Sequence, residues 1–175
     1  MDQNVEIKAR VYDLKTLEKK ILEIASEGPT LLRQTDVFFH VSRGRLKLRY
    51  LNGKTGELVY YERINSPGPT KSQYKRYLLP NPFHLEILLG TALGIRGVVE
   101  KKRKVYLIEK VRIHLDQVRG LGSFLELEVV LQKGQKTSQG IKDAEKLIKL
   151  LGVSRDSLLA EAYIDMLKPL PKKDS

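Results

Sequence analysis

The feature that most constrains this chain is a period of two. Successive side chains on a β-strand point to opposite faces, and four segments sort by parity into an apolar set and a charged set. In residues 4–11, Val5, Ile7, Ala9 and Val11 oppose Asn4, Glu6, Lys8 and Arg10. In residues 45–51, Leu46 and Leu48 oppose Arg45, Lys47 and Arg49. Further on, Val111, Ile113 and Leu115 oppose Lys110, Arg112, His114 and Asp116. Last, Leu125, Leu127 and Val129 oppose Phe124, Glu126 and Glu128. Such segments build a sheet with one apolar and one charged face.

Two arrangements satisfy that pattern. A half-buried antiparallel sheet turns its charges to solvent. A sheet curled into a barrel with helices on its outer, apolar face turns them inward instead. Two details favour the second. The charges are sorted by strand: Glu126 and Glu128 stand together as carboxylates, while Arg45, Lys47 and Arg49 are purely basic. The helical segments also carry apolar stripes that need a surface to cover. A charged interior is costly unless opposite charges or a ligand compensate it. Acids on one wall and bases on another suit metal ions holding a polyphosphate.

Eight strands are predicted, at residues 4–11, 34–41, 45–51, 57–64, 72–79, 96–103, 105–116 and 124–132, with Gly44, Asn52-Gly53 and Gly120-Leu121-Gly122 as turns. Four helices are predicted. The first covers residues 14–26, with Leu14, Leu17, Ile21 and Ile24 on one stripe and Asp13 as cap. The second opens at Asn81-Pro82. The third follows Ser138 and ends near Gly152; the fourth follows Ser154 and runs to about Leu167. The class is therefore α+β: an eight-stranded antiparallel barrel with helices outside. A length of 175 residues suits one domain, placed at residues 1–168, with 169–175 as a flexible tail.

Composition narrows the chemistry. The chain has 32 basic and 21 acidic residues, a net charge of +11, so it attracts polyanions. It has no cysteine, which excludes disulfides, thiolate metal sites and cysteine nucleophiles. No apolar run is long enough to cross a bilayer, and no secretory signal is visible after Met1. No membrane role and a cytoplasmic location are expected.

The same residues resemble the CYTH family, named for class IV adenylyl cyclases and thiamine triphosphatase. The family opens on a strand reading Glu-x-Glu-x-Lys; here it is Asn4-Val5-Glu6-Ile7-Lys8. In order follow Gln34-Thr35-Asp36-Val37-Phe38-Phe39, Gly44-Arg45-Leu46-Lys47-Leu48-Arg49, and Leu58-Val59-Tyr60-Tyr61-Glu62-Arg63. Then come Val99-Glu100-Lys101-Lys102-Arg103 and a long run from Arg112 to Glu128 containing Phe124-Leu125-Glu126-Leu127-Glu128. The resemblance spans nearly the whole chain. It implies a triphosphate tunnel metalloenzyme, in which carboxylates bind one or two Mg2+ or Mn2+ ions and Lys and Arg grip the phosphates. Carried over by position, it implies Glu6, Asp116, Glu126 and Glu128 as metal-binding and catalytic residues. It implies Lys8, Lys47, Arg49, Arg63, Lys101, Arg103 and Arg112 as phosphate contacts. The first motif glutamate is replaced by Asn4, whose amide oxygen can ligate a hard cation but brings no charge.

The expected function is a metal-dependent triphosphatase acting on inorganic triphosphate, thiamine triphosphate or a nucleoside triphosphate. A class IV-type adenylyl cyclase and a non-catalytic polyphosphate- or nucleotide-binding protein are the alternatives. Nucleic-acid binding ranks last; it needs no metal and weakens steeply with salt. A homodimer is compatible with the sequence. His114, on the charged face of its strand, is read as a structural residue or one that supports the site, ahead of a role in proton transfer; His40 and His84 are read as incidental, because no two histidines have metal-ligand spacing.

Overall fold

In the computed structural model, which describes residues 1–53 and 55–167, the sheet closes on itself. The elements in chain order are β1 (Asp2–Arg10), α1 (Leu14–Ile24), β2 (Glu27–Phe39), β3 (Arg45–Leu51), β4 (Thr55–Arg63), β5 (Thr70–Leu79) and α2 (Phe83–Leu93). There follow β6 (Ile95–Ile108), β7 (Val111–Val118), β8 (Gly122–Val130), α3 (Thr137–Leu151), a 3-10 turn (Arg155–Ser157) and α4 (Tyr163–Met166). Around the barrel the order is β1-β5-β4-β3-β2-β6-β7-β8, and β8 pairs back to β1. Every pairing is antiparallel. No helix is long and apolar enough to cross a membrane among the described residues.

The apolar parity faces outward, beneath helices. Val5, Ile7 and Ala9 of β1 join Ile113 of β7 and Leu127 of β8 in one core, covered by α1 and α3. Burying each large aliphatic side chain there stabilises the fold by about 1.5–3 kcal/mol, and Leu127→Ala would cost about 2–5 kcal/mol. α3 lies so close to β1 that a Cβ on Gly140 would stand 3.0 Å from Val5 Cγ2 and 2.7 Å from Leu131 Cδ2. A second outer core packs Leu85 and Leu89 of α2 on Val37, Phe39 and Leu48. A third cluster lies inside the barrel. Phe38, Val99 and Phe124 point inward and meet Ala162, Tyr163 and Ile164, so an apolar plug fills one end.

Several predicted boundaries move. β2 starts at Glu27, not residue 34: the ladder to β6 extends to Glu27↔Leu107, with a register shift before Thr30 where Gly28-Pro29 interrupts the pairing. The predicted break at Lys104 is absent. β6 continues to Ile108, and the chain turns at Glu109-Lys110, where Glu109 has a φ of 50°. No glycine announces that turn. The fourth helix shrinks to Tyr163–Met166. Ahead of it Leu158 bridges Ala9, and the Leu159 N–H donates to the Lys8 carbonyl at 2.9 Å. Tertiary hydrogen bonding thus overrides helix propensity there. Asp13 caps α1 as expected, accepting from the Thr16 N–H at 3.1 Å. The tail expected at 169–175 lies outside the described residues.

Candidate functional site

The charged parity faces enclose a cavity of about 350 Å³. Every candidate residue named from the sequence lines it except Asp116. Eight basic and five acidic side chains face it, an excess of positive charge that favours an anionic guest. Alternation along β6 explains part of this. Lys101 and Arg103 point in, whereas Lys102 is exposed and Lys104 pairs outside the barrel with Glu18 at 2.7 Å.

One wall is built around a single acid. Asp36 of β2 is 1% exposed and accepts from Lys47 Nζ at 3.0 Å, Arg49 Nε at 2.7 Å, Arg49 Nη2 at 3.0 Å and Lys101 Nζ at 3.3 Å. Burial would raise its pKa, but Arg49, Lys101 and Lys47 outweigh burial and hold the carboxyl well below its usual range. The bases respond in the opposite sense. Burial, followed by repulsion from Arg103, lowers Lys101 to about 7, against the pull of Asp36. Burial, then Arg49, also lowers Lys47. The wall is therefore a set of converging cations held in place by one fully ionised carboxylate.

The opposite wall runs over β7, β8 and β1. Arg103 Nε and Nη2 form a two-pronged pair with Asp116, at 2.7 and 2.6 Å, and Tyr163 Oη donates to the same carboxylate at 2.9 Å. Asp116 is thereby occupied and 0% exposed. Glu126 accepts from Arg103 and sits 3.2 Å from Lys8 Nζ. Burial opposes its ionisation, yet Lys8 and Arg103 hold its pKa well below the ordinary value. Glu6 behaves differently: burial raises its pKa, only partly countered by Arg63, which donates to it at 2.8 Å. Glu128 has looser neighbours, with Arg112 at 3.7 Å.

The same wall holds His114, which the sequence reading gives a structural or supporting role and not that of a metal ligand. His114 Nδ1 is buried without a hydrogen-bond partner, 3.8 Å from Glu126 and 3.9 Å from Glu128. One donor atom from each of these three residues lies within 4.8 Å of the others. A buried, unpartnered imidazole nitrogen facing two carboxylates fits a divalent cation. Asn4 Oδ1, also buried and unpartnered, lines the cavity from β1. A nitrogen and several hard oxygens make a chemically reasonable donor set.

The C-terminal segment closes the plugged end with its backbone. The Ala160 carbonyl accepts from Arg63 Nη2 at 2.8 Å, and the Glu161 carbonyl from Lys8 Nζ at 3.2 Å. The Tyr163 ring lies under Lys8 Nζ, 3.8 Å from its centroid. Asp165 ties the segment to Arg45 at 2.7 Å and Arg96 at 2.6 Å. Arg45, though on the charged parity of β3, is thus used as an anchor.

Asp36 was not among the sequence candidates. Its signal was available: an acid on the same parity as Gln34 and Phe38, directly ahead of the apolar run Val37-Phe38-Phe39. Tyr163 offered no signal, because the partners of its side chain, Lys8, Asp116 and Phe124, all lie far away in sequence.

Comparison with known proteins places these observations in context. A family model described as the CYTH domain matches residues 2–163. A Methanocaldococcus jannaschii protein bearing a provisional adenylate cyclase name is 29% identical over 171 residues, covering 93% of this chain and 97% of its own. A solved Pyrococcus horikoshii structure aligns with a TM-score of 0.83 at 23% identity, covering 94% of this chain and 99% of that one. A Hippeastrum protein, described as revealing a dominant triphosphatase activity, aligns with a TM-score of 0.59 at 14% identity, covering 93% and 91%.

Proposed function

This chain belongs to the CYTH family, and we propose that it is a divalent-metal-dependent triphosphatase working inside its barrel. One observation carries the reading: the three-cation wall around Asp36 and the His114, Glu126 and Glu128 cluster face the same blind cavity. The first suits phosphate oxygens and the second a cation. The volume, about 350 Å³, is at the low end of small-molecule sites. That supports a phosphate chain inside, with any organic group left at the open end. The activity described for the Hippeastrum structure is consistent with this choice.

Phosphoryl transfer asks for position and charge neutralisation more than for covalent chemistry by the protein. We assign Glu126, Glu128 and His114 to hold the metal, with Asn4 offering a further oxygen beside it. When bound, Mg2+ or Mn2+ would neutralise phosphate charge and lower the pKa of a coordinated water. Lys47, Arg49 and Lys101 bind phosphate oxygens from one wall, and Lys8, Arg63, Arg103 and Arg112 from the other. Arginine matches a phosphate with two donors, while lysine acts as a point charge. Asp36 and Asp116 orient those cations and touch no phosphate. Glu6, whose proton affinity burial raises against the pull of Arg63, takes the proton of the attacking water. The plug of Phe38, Phe124 and Tyr163 keeps bulk water out of the inner end.

The test is the full-length protein with Mg2+ or Mn2+ and a panel of triphosphates, scored separately for phosphate, pyrophosphate and cyclic nucleotide. Phosphate release from inorganic triphosphate, abolished by chelator, is expected. Cyclic AMP from ATP would replace this reading with the cyclase that the M. jannaschii relative's name suggests. Binding of triphosphate without turnover would leave a binding protein.

A further inference from the structure

We infer that Tyr163 is a positioning residue of the phosphate site: its ring face sets Lys8 and Lys101, and its hydroxyl sets Arg103 through Asp116. The inference rests on the site proposed above and gives the plug a second use besides excluding water. Tyr163 comes from α4, outside the sheet, and is buried. Its place is fixed by contacts other than the lysine ammonium groups. The Leu159 N–H donates to the Lys8 carbonyl, and Asp165 holds the segment to Arg45 and Arg96. The Phe124 ring packs on the Tyr163 ring with 4.9 Å between centroids.

Two ammonium groups share the ring. Lys8 Nζ stands 3.8 Å from its centroid and Lys101 Nζ 5.4 Å. Both lie within the roughly 6 Å over which a ring face attracts a cation. These lysines come from β1 and β6, which are not neighbours in the barrel, so one side chain serves both walls. The pattern extends around the plug. Lys47 Nζ lies 5.5 Å from the Phe38 ring and 5.6 Å from the Tyr61 ring. Each of the lysines assigned to phosphate therefore stands over an aromatic face.

Charge explains why a ring suits this place. Lys101 has Asp36 at 3.3 Å, a carboxylate it shares with Lys47 and Arg49, while Arg103 and Arg49 repel it. A second carboxylate beneath it would attract the ammonium but compete with phosphate for the same N–H groups. A ring face attracts through its quadrupole, carries no net charge and consumes none of the positive excess. Lys8 already meets Glu126 and the Glu161 carbonyl, both at 3.2 Å, and the ring leaves its remaining N–H for phosphate. The hydroxyl acts separately. It donates at 2.9 Å to Asp116, the carboxylate that grips Arg103 through Nε and Nη2. Burial, with Glu126 and Asp116 nearby, holds the phenol well above its usual range, so it stays a donor.

Calorimetric titration of the full-length chain with inorganic triphosphate in EDTA reads the cation site without the metal. Tyr163→Phe removes only the hydroxyl and should raise the dissociation constant about three- to tenfold. Tyr163→pentafluorophenylalanine keeps the ring but reverses the polarity of its face. It should raise the constant at least about tenfold beyond Tyr163→Phe. Ile164→Ala, a buried plug residue beside Tyr163, should lower the unfolding midpoint and leave the constant within about twofold. Equal constants for the two ring variants overturn the role of the ring face. A Tyr163→Phe constant equal to wild type overturns that of the hydroxyl. An Ile164→Ala constant raised as much as theirs reduces Tyr163 to packing. Triphosphate bound in this way but never hydrolysed with Mg2+ or Mn2+ would refute the proposed activity and leave this inference standing. A wild-type chain that binds none would end both.

Discussion

The two charged walls of the barrel are built on opposite principles. On the Asp36 wall, three basic side chains converge on one acid, and that acid's oxygens are all engaged within 3.3 Å. On the His114 wall, Glu126 and Glu128 gather beside a ring nitrogen that has no hydrogen-bond partner. The first wall is braced by its own carboxylate and keeps an excess of positive charge for an anion. The second holds donor capacity that nothing in the protein uses. The contrast teaches that one cavity can be preorganised for an anion and still be incomplete for a cation. Folding supplies the phosphate grip, and the metal would complete the opposite face.

The largest expected effect falls on the incomplete wall. Glu126→Gln removes the carboxylate that faces Lys8, Arg103 and His114 together. Metal-dependent phosphate release should drop by about 10³-fold, as when a group that neutralises transition-state charge is lost; the variant should still fold, with a lowered unfolding midpoint, because Arg103 keeps Asp116 and Lys8 keeps the Glu161 carbonyl. Turnover within a few-fold of wild type would sink the assignment of that wall. Next comes Asp36→Asn on the complete wall. It leaves Lys47 and Lys101 buried without their acid partner and Arg49 with only Glu57, at 3.5 Å, and should cost about 3–5 kcal/mol in denaturant unfolding. Added inorganic triphosphate should recover more stability in this variant than in wild type, because it pairs with the freed cations. Equal recovery would mean that the phosphates bind elsewhere.

A third effect is smaller and separates the walls by pH. Burial and Arg103 bring Lys101 to about 7, below the ordinary lysine range. The folded protein therefore releases a proton near 7 that the unfolded chain keeps to about 10.4. Within that window the unfolded state binds more protons, so stability without ligand rises with pH. Triphosphate affinity runs the other way. Above about 7 Lys101 loses its charge, and affinity should fall by about tenfold, the worth of one charge-assisted hydrogen bond. Calorimetric titration between pH 6 and 9 measures this. Lys101→Met should flatten the difference, and an unaltered profile in that variant would remove Lys101 from the phosphate wall.

How much of this was legible depended on whether the signal was local. Parity within single strands placed Glu6 with Lys8, Lys47 with Arg49, and Glu126 with Glu128 on shared faces, and those faces do meet inside a closed barrel. Order along the chain carried the family resemblance. What parity does not reveal is which inward charges face each other across the barrel. Asp36 and Lys101 are 65 residues apart and meet only when β2 lies beside β6. Sequence also assigns Asp116 and Glu126 alike, as acids on inward faces. Only the fold shows Asp116 enclosed by Arg103 and Tyr163 while Glu126 stays at the cavity. The C-terminal segment was read as a helix because its composition permits one, but its carbonyls are used by Arg63 and Lys8.

The smallest effect isolates the ring nitrogen that sequence spacing passed over. An all-oxygen site favours Mg2+, which is small and dehydrates reluctantly. Adding an imidazole nitrogen moves preference toward transition metals, including Mn2+. His114 Nδ1 stands between two carboxylates with no hydrogen-bond partner, so it is available for that role without breaking anything. His114→Gln replaces it with an amide at similar reach. The ratio of half-saturating Mg2+ to half-saturating Mn2+ in the phosphate-release assay should fall by about three- to tenfold, with maximal rates changed less. Direct Mn2+ binding by electron paramagnetic resonance gives a readout independent of turnover. If the ratio is the same in both proteins, His114 only packs against the acids, and the cation is held by oxygen alone.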